Sequence, residues 1–83
     1  MDKTISKEHI LSVLTRHVYE VIPELQGRSI GGGDSLRELG ANSMDRADIV
    51  MEVMEALALK IPRAELLGPR NIGELVDLIH AKL

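Results

Sequence analysis

The hydrophobic residues of this 83-residue chain repeat at helical spacing in its first and last segments. The first segment predicts a helix that is capped by Ser6, runs to about Ile22 and is closed by Pro23. The last segment begins with Asn71 to Glu74, a run of the capping-box form with Asn in place of the usual Ser or Thr. The predicted inner faces are Ile10, Val13, Leu14, Val18 and Val21 in the first helix, and Ile72, Leu75, Val76, Ile79 and Leu83 in the last.

The middle of the chain predicts two more helices. One starts at Asn42 or Ser43, either of which can serve as its cap, and runs to about Leu59. A short helix then runs from Pro62, a residue suited to the first helical position, through Leu67. Steps of three and four residues predict that the inner face of the longer helix consists of Ala47, Val50, Met54 and Leu57.

Residues 23–40 predict a long loop between the first and second helices. The loop contains three consecutive glycines at positions 31–33, but no Lys-Ser or Lys-Thr follows them, so we interpret this run as a flexible connector and not as a phosphate-binding loop. Within residues 34–40, Leu36 and Leu39 are expected to pin one capped turn to the core. The predicted fold is therefore an all-α, small four-helix bundle, with three longer helices, one short helix and a long loop between helices 1 and 2, in a single domain over residues 1–83.

Composition narrows the class of protein. The chain has no cysteine, one aromatic residue (Tyr19) and a formal net charge of −3, so disulfides, thiolate metal sites and a stacking platform for nucleic acid bases are not expected. No apolar run approaches the roughly 20 residues of a membrane span, and the first residues do not have the pattern of a secretory signal. We expect a cytoplasmic monomer that binds neither nucleic acid nor membrane.

The sequence offers no evident catalytic or metal-binding constellation. His9, His17 and His80 have no metal-ligand spacing that links them, and no carboxylate pair lies beside a histidine in the sequence. We interpret all three as surface or rim histidines. The prediction is a protein without catalytic residues or a metal site.

The second helix carries the most distinctive pattern in the chain. Ser43 lies where a glycine-containing loop meets the start of this helix, and carboxylates at steps of three, four and three share one of its faces: Asp45, Asp48, Glu52 and Glu55. Met44 and Met51 lie beside these acids. Like charges at this spacing cost stability, while exposed methionines edged by acids suit an adaptable surface for basic partners. We expect the four acids to be exposed and unpaired.

With these residues in place, the chain resembles the acyl carrier protein family over essentially its full length. The resemblance rests on Ser43 with its followers Met44 and Asp45, on the acidic second helix, and on three further motifs: Asp34-Ser35-Leu36-x-x-Leu39-Gly40, Ile61-Pro62 and Asn71-Ile72-Gly73-Glu74-Leu75. It implies that Ser43 receives 4′-phosphopantetheine from coenzyme A, and that the thiol of this arm holds acyl groups. It also implies that partner enzymes dock on Met44, Asp45, Asp48, Met51, Glu52 and Glu55. The chain departs from the family's commonest motif at Asn42, where aspartate is usual, and this puts the choice and efficiency of the transferase in question.

Within the family, residues 40–46 and 59–62 resemble discrete polyketide synthase carriers, and in particular the donor carriers of β-branching cassettes. Such carriers deliver an acetyl group, made by decarboxylation of a malonyl group, to an enzyme similar to 3-hydroxy-3-methylglutaryl (HMG) synthase. The implied partners are a phosphopantetheinyl transferase, a malonyl acyltransferase, a decarboxylating ketosynthase-like enzyme and the HMG synthase-like enzyme. The implied role is that of a covalent carrier and not of an enzyme.

Three other functions remain open at the level of sequence. The first is a general fatty acid or other biosynthetic carrier, which shares most of the motif. The second is a non-carrier helical interaction module with an acidic docking face, in which Ser43 is only a helix cap. The third is a small hydrolase that uses Ser43, which would need a partner base that is not near it in the sequence.

Overall fold

The structure is a computed structural model that describes residues 5–66 and 68–83. Its helices are α1 (Lys7–Val21), α2 (Ser43–Ala56), α3 (Arg63–Leu66) and α4 (Ile72–Ala81), and a 3₁₀ turn covers Pro23–Leu25. The four helices and the long connection between α1 and α2 confirm the predicted fold, and the described residues contain no strand. Among them, no helix has the length and apolar character needed to cross a bilayer. Residues 1–4, where a secretory signal would begin, and Leu67, the predicted end of the short helix, lie outside the described residues.

Helix α1 is the centre of the bundle, since it packs against both α2 and α4. Ser6 caps it as predicted, with its hydroxyl accepting a hydrogen bond from the His9 amide at 3.1 Å. Four of the five predicted inner residues are buried, while Val21 at the end of the helix is half-buried. The periodic pattern of α1 therefore predicted its packing face.

Helix α2 packs on a different face from the predicted one. Ile49 and Val53 are the buried residues of this helix, each with no exposed surface. The predicted inner residues, Ala47, Val50, Met54 and Leu57, are all half-buried. Apolar residues lie on several sides of α2, so helical spacing alone could not show which side packs against α1.

Helix α2 also ends three residues before the predicted Leu59. Ala58 has a φ of 56°, in the left-handed region that usually takes glycine, and the Leu59 amide donates to the Met54 carbonyl at 2.8 Å. This closing geometry stops the helix at Ala56. This helix end could not be predicted from the sequence, because alanine and not glycine occupies the left-handed position.

The long loop is anchored at several points. Leu36 and Leu39 are buried, as predicted. The glycine run, however, is docked on the start of α4 and is not a free connector: the Gly73 amide donates to the Gly32 carbonyl and the Ile72 amide to the Asp34 carbonyl, both at 2.8 Å. These loop carbonyls satisfy amides that an α-helix start leaves without partners.

The last two helices begin close to their predicted positions. α3 starts one residue after Pro62, and Asn71 caps α4 by accepting from the Glu74 amide at 2.8 Å. The predicted box is not reciprocal, because the Glu74 carboxylate accepts from the amide of Arg70 and not from that of Asn71. Four residues of the predicted stripe are buried, but Leu83 lies past the helix end and is 48% exposed.

Candidate functional site

Ser43 is the first residue of α2 and is exposed to solvent. The cap of this helix is Asn42, whose side-chain oxygen accepts from the Asp45 amide at 2.8 Å. The Asp45 carboxylate accepts in return from the Asn42 amide at 3.4 Å, so the two residues form a capping box. Asn42 therefore holds the helix start, and the Ser43 hydroxyl is not needed as a cap.

The backbone that leads into Ser43 is held in place by the loop before it. Gly40 has a φ of 104°, and the buried Ala41 donates its amide to the Leu36 carbonyl at 3.0 Å. The Ala41 carbonyl accepts from Nη1 of Arg46 at 3.0 Å. Because hydrogen bonds hold both the amide and the carbonyl of Ala41, they also fix the position of the α2 start and hence of Ser43.

A groove of about 1280 Å³ runs alongside Ser43, between α2 and the segment that contains α3 and the start of α4. Its lining is mainly apolar, and its α2 wall includes residues that the sequence assigned to the core face: Ala47, Val50 and Met54. The second apolar face of α2 thus lines a groove that also includes the candidate attachment serine. In the described residues, the lining of this groove includes no histidine.

Four of the six predicted docking residues lie on the outer surface of α2. Met44 is 76% exposed and Met51 is 55% exposed, and these are the two most exposed large hydrophobic residues of the described chain. Asp48 and Glu55 are also exposed. We call these four residues the outer face of α2. It combines apolar contact area with negative charge along the helix that begins at Ser43.

The other two predicted docking residues differ from the expectation of exposed, unpaired acids. Asp45 is half-buried because it closes the capping box with Asn42. Glu52 is half-buried on the side of α2 that meets α1, and its Oε1 lies 3.9 Å from Nε2 of His17. Asp45 has a partner within the chain and Glu52 faces α1, so both are less available to another protein than Asp48 and Glu55 are.

The three histidines are dispersed, and His17 is a rim residue with little exposed surface. His9 is exposed and His80 is half-buried. The side chain of His17 is only 12% exposed and lies at the contact of α1 with α2, near Glu20 and Glu52. The sequence does place His17 and Glu20 three residues apart on one helix face, but only the fold brings Glu52 to them.

Comparison with known proteins identifies the family. A family described as "Phosphopantetheine attachment site" matches residues 14–79. The chain is 48% identical over 79 residues to the polyketide biosynthesis acyl-carrier-protein AcpK of Bacillus subtilis (strain 168), covering 95% of this chain and 96% of AcpK. It is 31% identical over 78 residues to the acyl carrier protein of Prochlorococcus marinus (strain MIT 9515), covering 94% and 98% of the two chains.

A solved structure agrees in both fold and sequence. A chain in the crystal structure of the curacin biosynthetic pathway HMG synthase in complex with acetyl donor-ACP is similar to this chain, with a TM-score of 0.89 and 49% identity. The similarity covers 94% of this chain and all of the other. The helical order, the exposed serine at the start of α2 and these matches together show that the chain belongs to the phosphopantetheine attachment site family, the family of acyl carrier proteins.

Proposed function

We propose that this chain is an acyl carrier of polyketide biosynthesis that holds its cargo on a 4′-phosphopantetheine arm at the Ser43 hydroxyl. One observation carries the proposal: Ser43 is the exposed first residue of α2, while Asn42 alone supplies the side-chain cap. In a family defined by phosphopantetheine attachment, a serine that is accessible and not needed to close the helix is the natural acceptor.

The start of α2 suits the group that would be attached there. An α-helix N-terminus carries the equivalent of about half a positive charge, which favours the phosphodiester anion next to it. The groove beside Ser43 offers aliphatic surface along which an arm can lie. When bound, the arm supplies a thiol that forms thioesters with acyl groups.

The chain itself acts as a carrier and not as a catalyst in this proposal. A hydrolase that used Ser43 would need a neighbouring general base, and the groove lining in the described chain includes no histidine. The relatives are acyl carrier proteins. Proton transfer during loading is then the task of the phosphopantetheinyl transferase.

Asn42 keeps the capping role of the aspartate that is usual at this position in the family. Its oxygen makes the cap bond to Asp45 that an aspartate at the same position would make. The difference is one negative charge beside the acceptor hydroxyl. We therefore expect loading to proceed, with its rate dependent on how much each transferase relies on that charge.

We further propose the donor role in β-branching, in which the carrier delivers acetyl, made from malonyl, to an HMG synthase-like enzyme. The support is the likeness to a donor carrier seen in complex with an HMG synthase and the 48% identity to a polyketide carrier. Identity to the Prochlorococcus carrier is lower, at 31%, so the general-carrier alternative is less favoured. The malonyl acyltransferase and the decarboxylating ketosynthase-like enzyme are the partners that this role requires.

The outer face of α2 is the proposed docking surface for these partners. We expect the double variant Asp48→Lys with Glu55→Lys to lower kcat/KM for acetyl transfer to the synthase about tenfold, since two lost ion pairs of under 1 kcal/mol each sum to about 1.4 kcal/mol. Transfer from the loaded carrier to the synthase, measured over a range of carrier concentrations, gives this quantity.

A matched control separates docking from net charge. The double variant Glu8→Lys with Glu24→Lys makes the same charge change at exposed positions outside α2. We expect it to transfer acetyl at the rate of the unaltered carrier, and far-UV circular dichroism should show the same helix content in all forms. Equal losses in both double variants would show that the outer face of α2 does not carry the docking.

A further inference from the structure

His17, Glu20 and Glu52 converge where α1 contacts α2. His17 and Glu20 lie on α1 and Glu52 on α2, and one ligand atom from each side chain lies within 4.8 Å of the other two. The cluster lies on the flank of α2 that faces α1, apart from the groove beside Ser43. Its residues were not expected to meet, because the sequence separates Glu52 from the other two.

One nitrogen of His17 is already oriented. Nδ1 lies 2.8 Å from the Val13 carbonyl oxygen, and because a carbonyl only accepts, Nδ1 carries the proton. In its neutral form the ring then has its lone pair on Nε2, which faces Oε1 of Glu52 at 3.9 Å. Protein metal sites commonly hold a histidine in this way, with the second ring nitrogen donating to a backbone carbonyl.

The cluster places negative charge around that lone pair. In the described part of the chain, neither glutamate forms an ion pair with a lysine or an arginine. The His17 side chain is 12% exposed, so its Nε2 has limited access to water, while the glutamates are reachable from solvent. Two carboxylates and an imidazole lone pair that face one another are stabilised by a cation between them.

We propose that His17, Glu20 and Glu52 bind a divalent transition-metal ion, with Zn²⁺ as the fitting example, which links α1 to α2. One nitrogen and two carboxylate oxygens are a known ligand set of zinc, at about 2.0–2.2 Å from the metal, and water completes the tetrahedron. Ligands of such a site lie about 3.3 Å apart, so the atoms here close by at most about 1.5 Å. Rotation of the flexible glutamate side chains supplies this movement.

The imidazole sets the expected metal selectivity. Mg²⁺ and Ca²⁺ prefer oxygen ligands and higher coordination numbers, whereas imidazole suits zinc and its transition-metal neighbours. A bound ion would stabilise the fold, because it joins two helices of a chain that has no disulfide. It would also hold Glu52 against α1, away from any docking partner.

Isothermal titration of the full, untagged chain with ZnCl₂ tests the proposal. The chain is used before the arm is attached, since a free thiol would itself bind zinc. We expect one ion per chain, and a rise in Tm of at least about 10 °C when free zinc is one hundred times Kd. Loss of a direct ligand in His17→Gln or Glu20→Gln should weaken binding at least tenfold, since loss of an outer partner alone costs 10–100-fold.

Matched variants outside the cluster are the control. His9→Gln and Glu24→Gln remove the same side-chain types at exposed positions, and we expect them to bind zinc as the unaltered chain does. Because Glu20 is exposed, Glu20→Gln should fold normally. This variant therefore tests the site even if His17→Gln fails to fold. The proposal is overturned if zinc does not bind, if the control variants lose as much affinity, or if Mg²⁺ binds as tightly as Zn²⁺.

Discussion

At the start of α2, Asn42 is the helix cap and Ser43 is the proposed attachment residue. Substitution of each residue tests the two roles separately. Asn42→Ala removes the side-chain oxygen that accepts from the Asp45 amide at 2.8 Å. Loss of an asparagine cap costs about 1 kcal/mol of folding free energy, within a range of about 0.5–2. For a domain of 60–100 residues this corresponds to a decrease in Tm of about 4–8 °C. Because Ser43 stays exposed, the variant should still be loaded with the arm.

Ser43→Ala should show the opposite pattern. Its hydroxyl is not the cap, and alanine is a good helix former, so the free energy of unfolding should change by no more than about 0.5 kcal/mol. Loading should be abolished. If Ser43 were only a cap, the same substitution would cost about 1 kcal/mol and leave function intact.

Urea denaturation followed by circular dichroism, with intact mass measured after incubation with coenzyme A and a broad-specificity transferase, reads out both properties. Asn71→Ala is the matched control, because Asn71 caps α4 through a bond of the same 2.8 Å length to the Glu74 amide. It should lose stability as Asn42→Ala does and load normally. A loss of about 1 kcal/mol in Ser43→Ala, with no loss in Asn42→Ala, would show instead that Ser43 is the cap.

Five further substitutions, two of them matched controls, test the fold around the site by thermal or urea denaturation. Ile49→Ala should cost about 2–5 kcal/mol because the side chain is fully buried, and Val50→Ala should cost less because that residue is half-buried; equal costs would contradict the observed packing face. Gly40→Ala should destabilise by about 1–3 kcal/mol because its φ is 104°, whereas Gly33→Ala should be close to neutral. Ala58→Gly should raise Tm, because glycine removes the strain of a φ of 56°. A decrease in Tm would show that this strain is small.

Helices α1 and α4 were predictable because each has one apolar stripe and a capping residue before it. Ser6 and Asn71 mark the starts by side-chain chemistry that works locally, and the buried residues follow at helical spacing. Local signals of this kind are visible in the sequence because they need no knowledge of the rest of the fold. The start of α2, expected at Asn42 or Ser43, was predictable for the same reason.

The inner face of α2 was not predictable, because tertiary packing decides it. The helix carries apolar residues on two faces, of which one, with Ile49 and Val53, packs on α1. The other, with Val50 and Met54, lines the groove beside Ser43. A helix that serves both a core and a groove has no single stripe, so its hydrophobic spacing could not identify the packing face.

Long-range contacts account for the remaining differences. The glycine run was interpreted as a flexible connector because its hydrogen-bond partner, the Gly73 amide of α4, is 41 residues beyond Gly32 in the chain. The approach of Glu52 to His17 was not predicted, because Glu52 reaches it only through the packing of α1 on α2. Such contacts form only when the helices pack together, so no local pattern in the sequence predicts them.

In the proposed function, the chain carries its cargo on an arm at Ser43. Intact mass of the protein from its native host, with fragmentation to locate the modified residue, tests it most directly. We predict one phosphopantetheine per chain on the peptide that contains Ser43, with a malonyl or acetyl thioester on a fraction of the molecules. An unmodified mass, or an arm located at any other serine, would contradict attachment at Ser43.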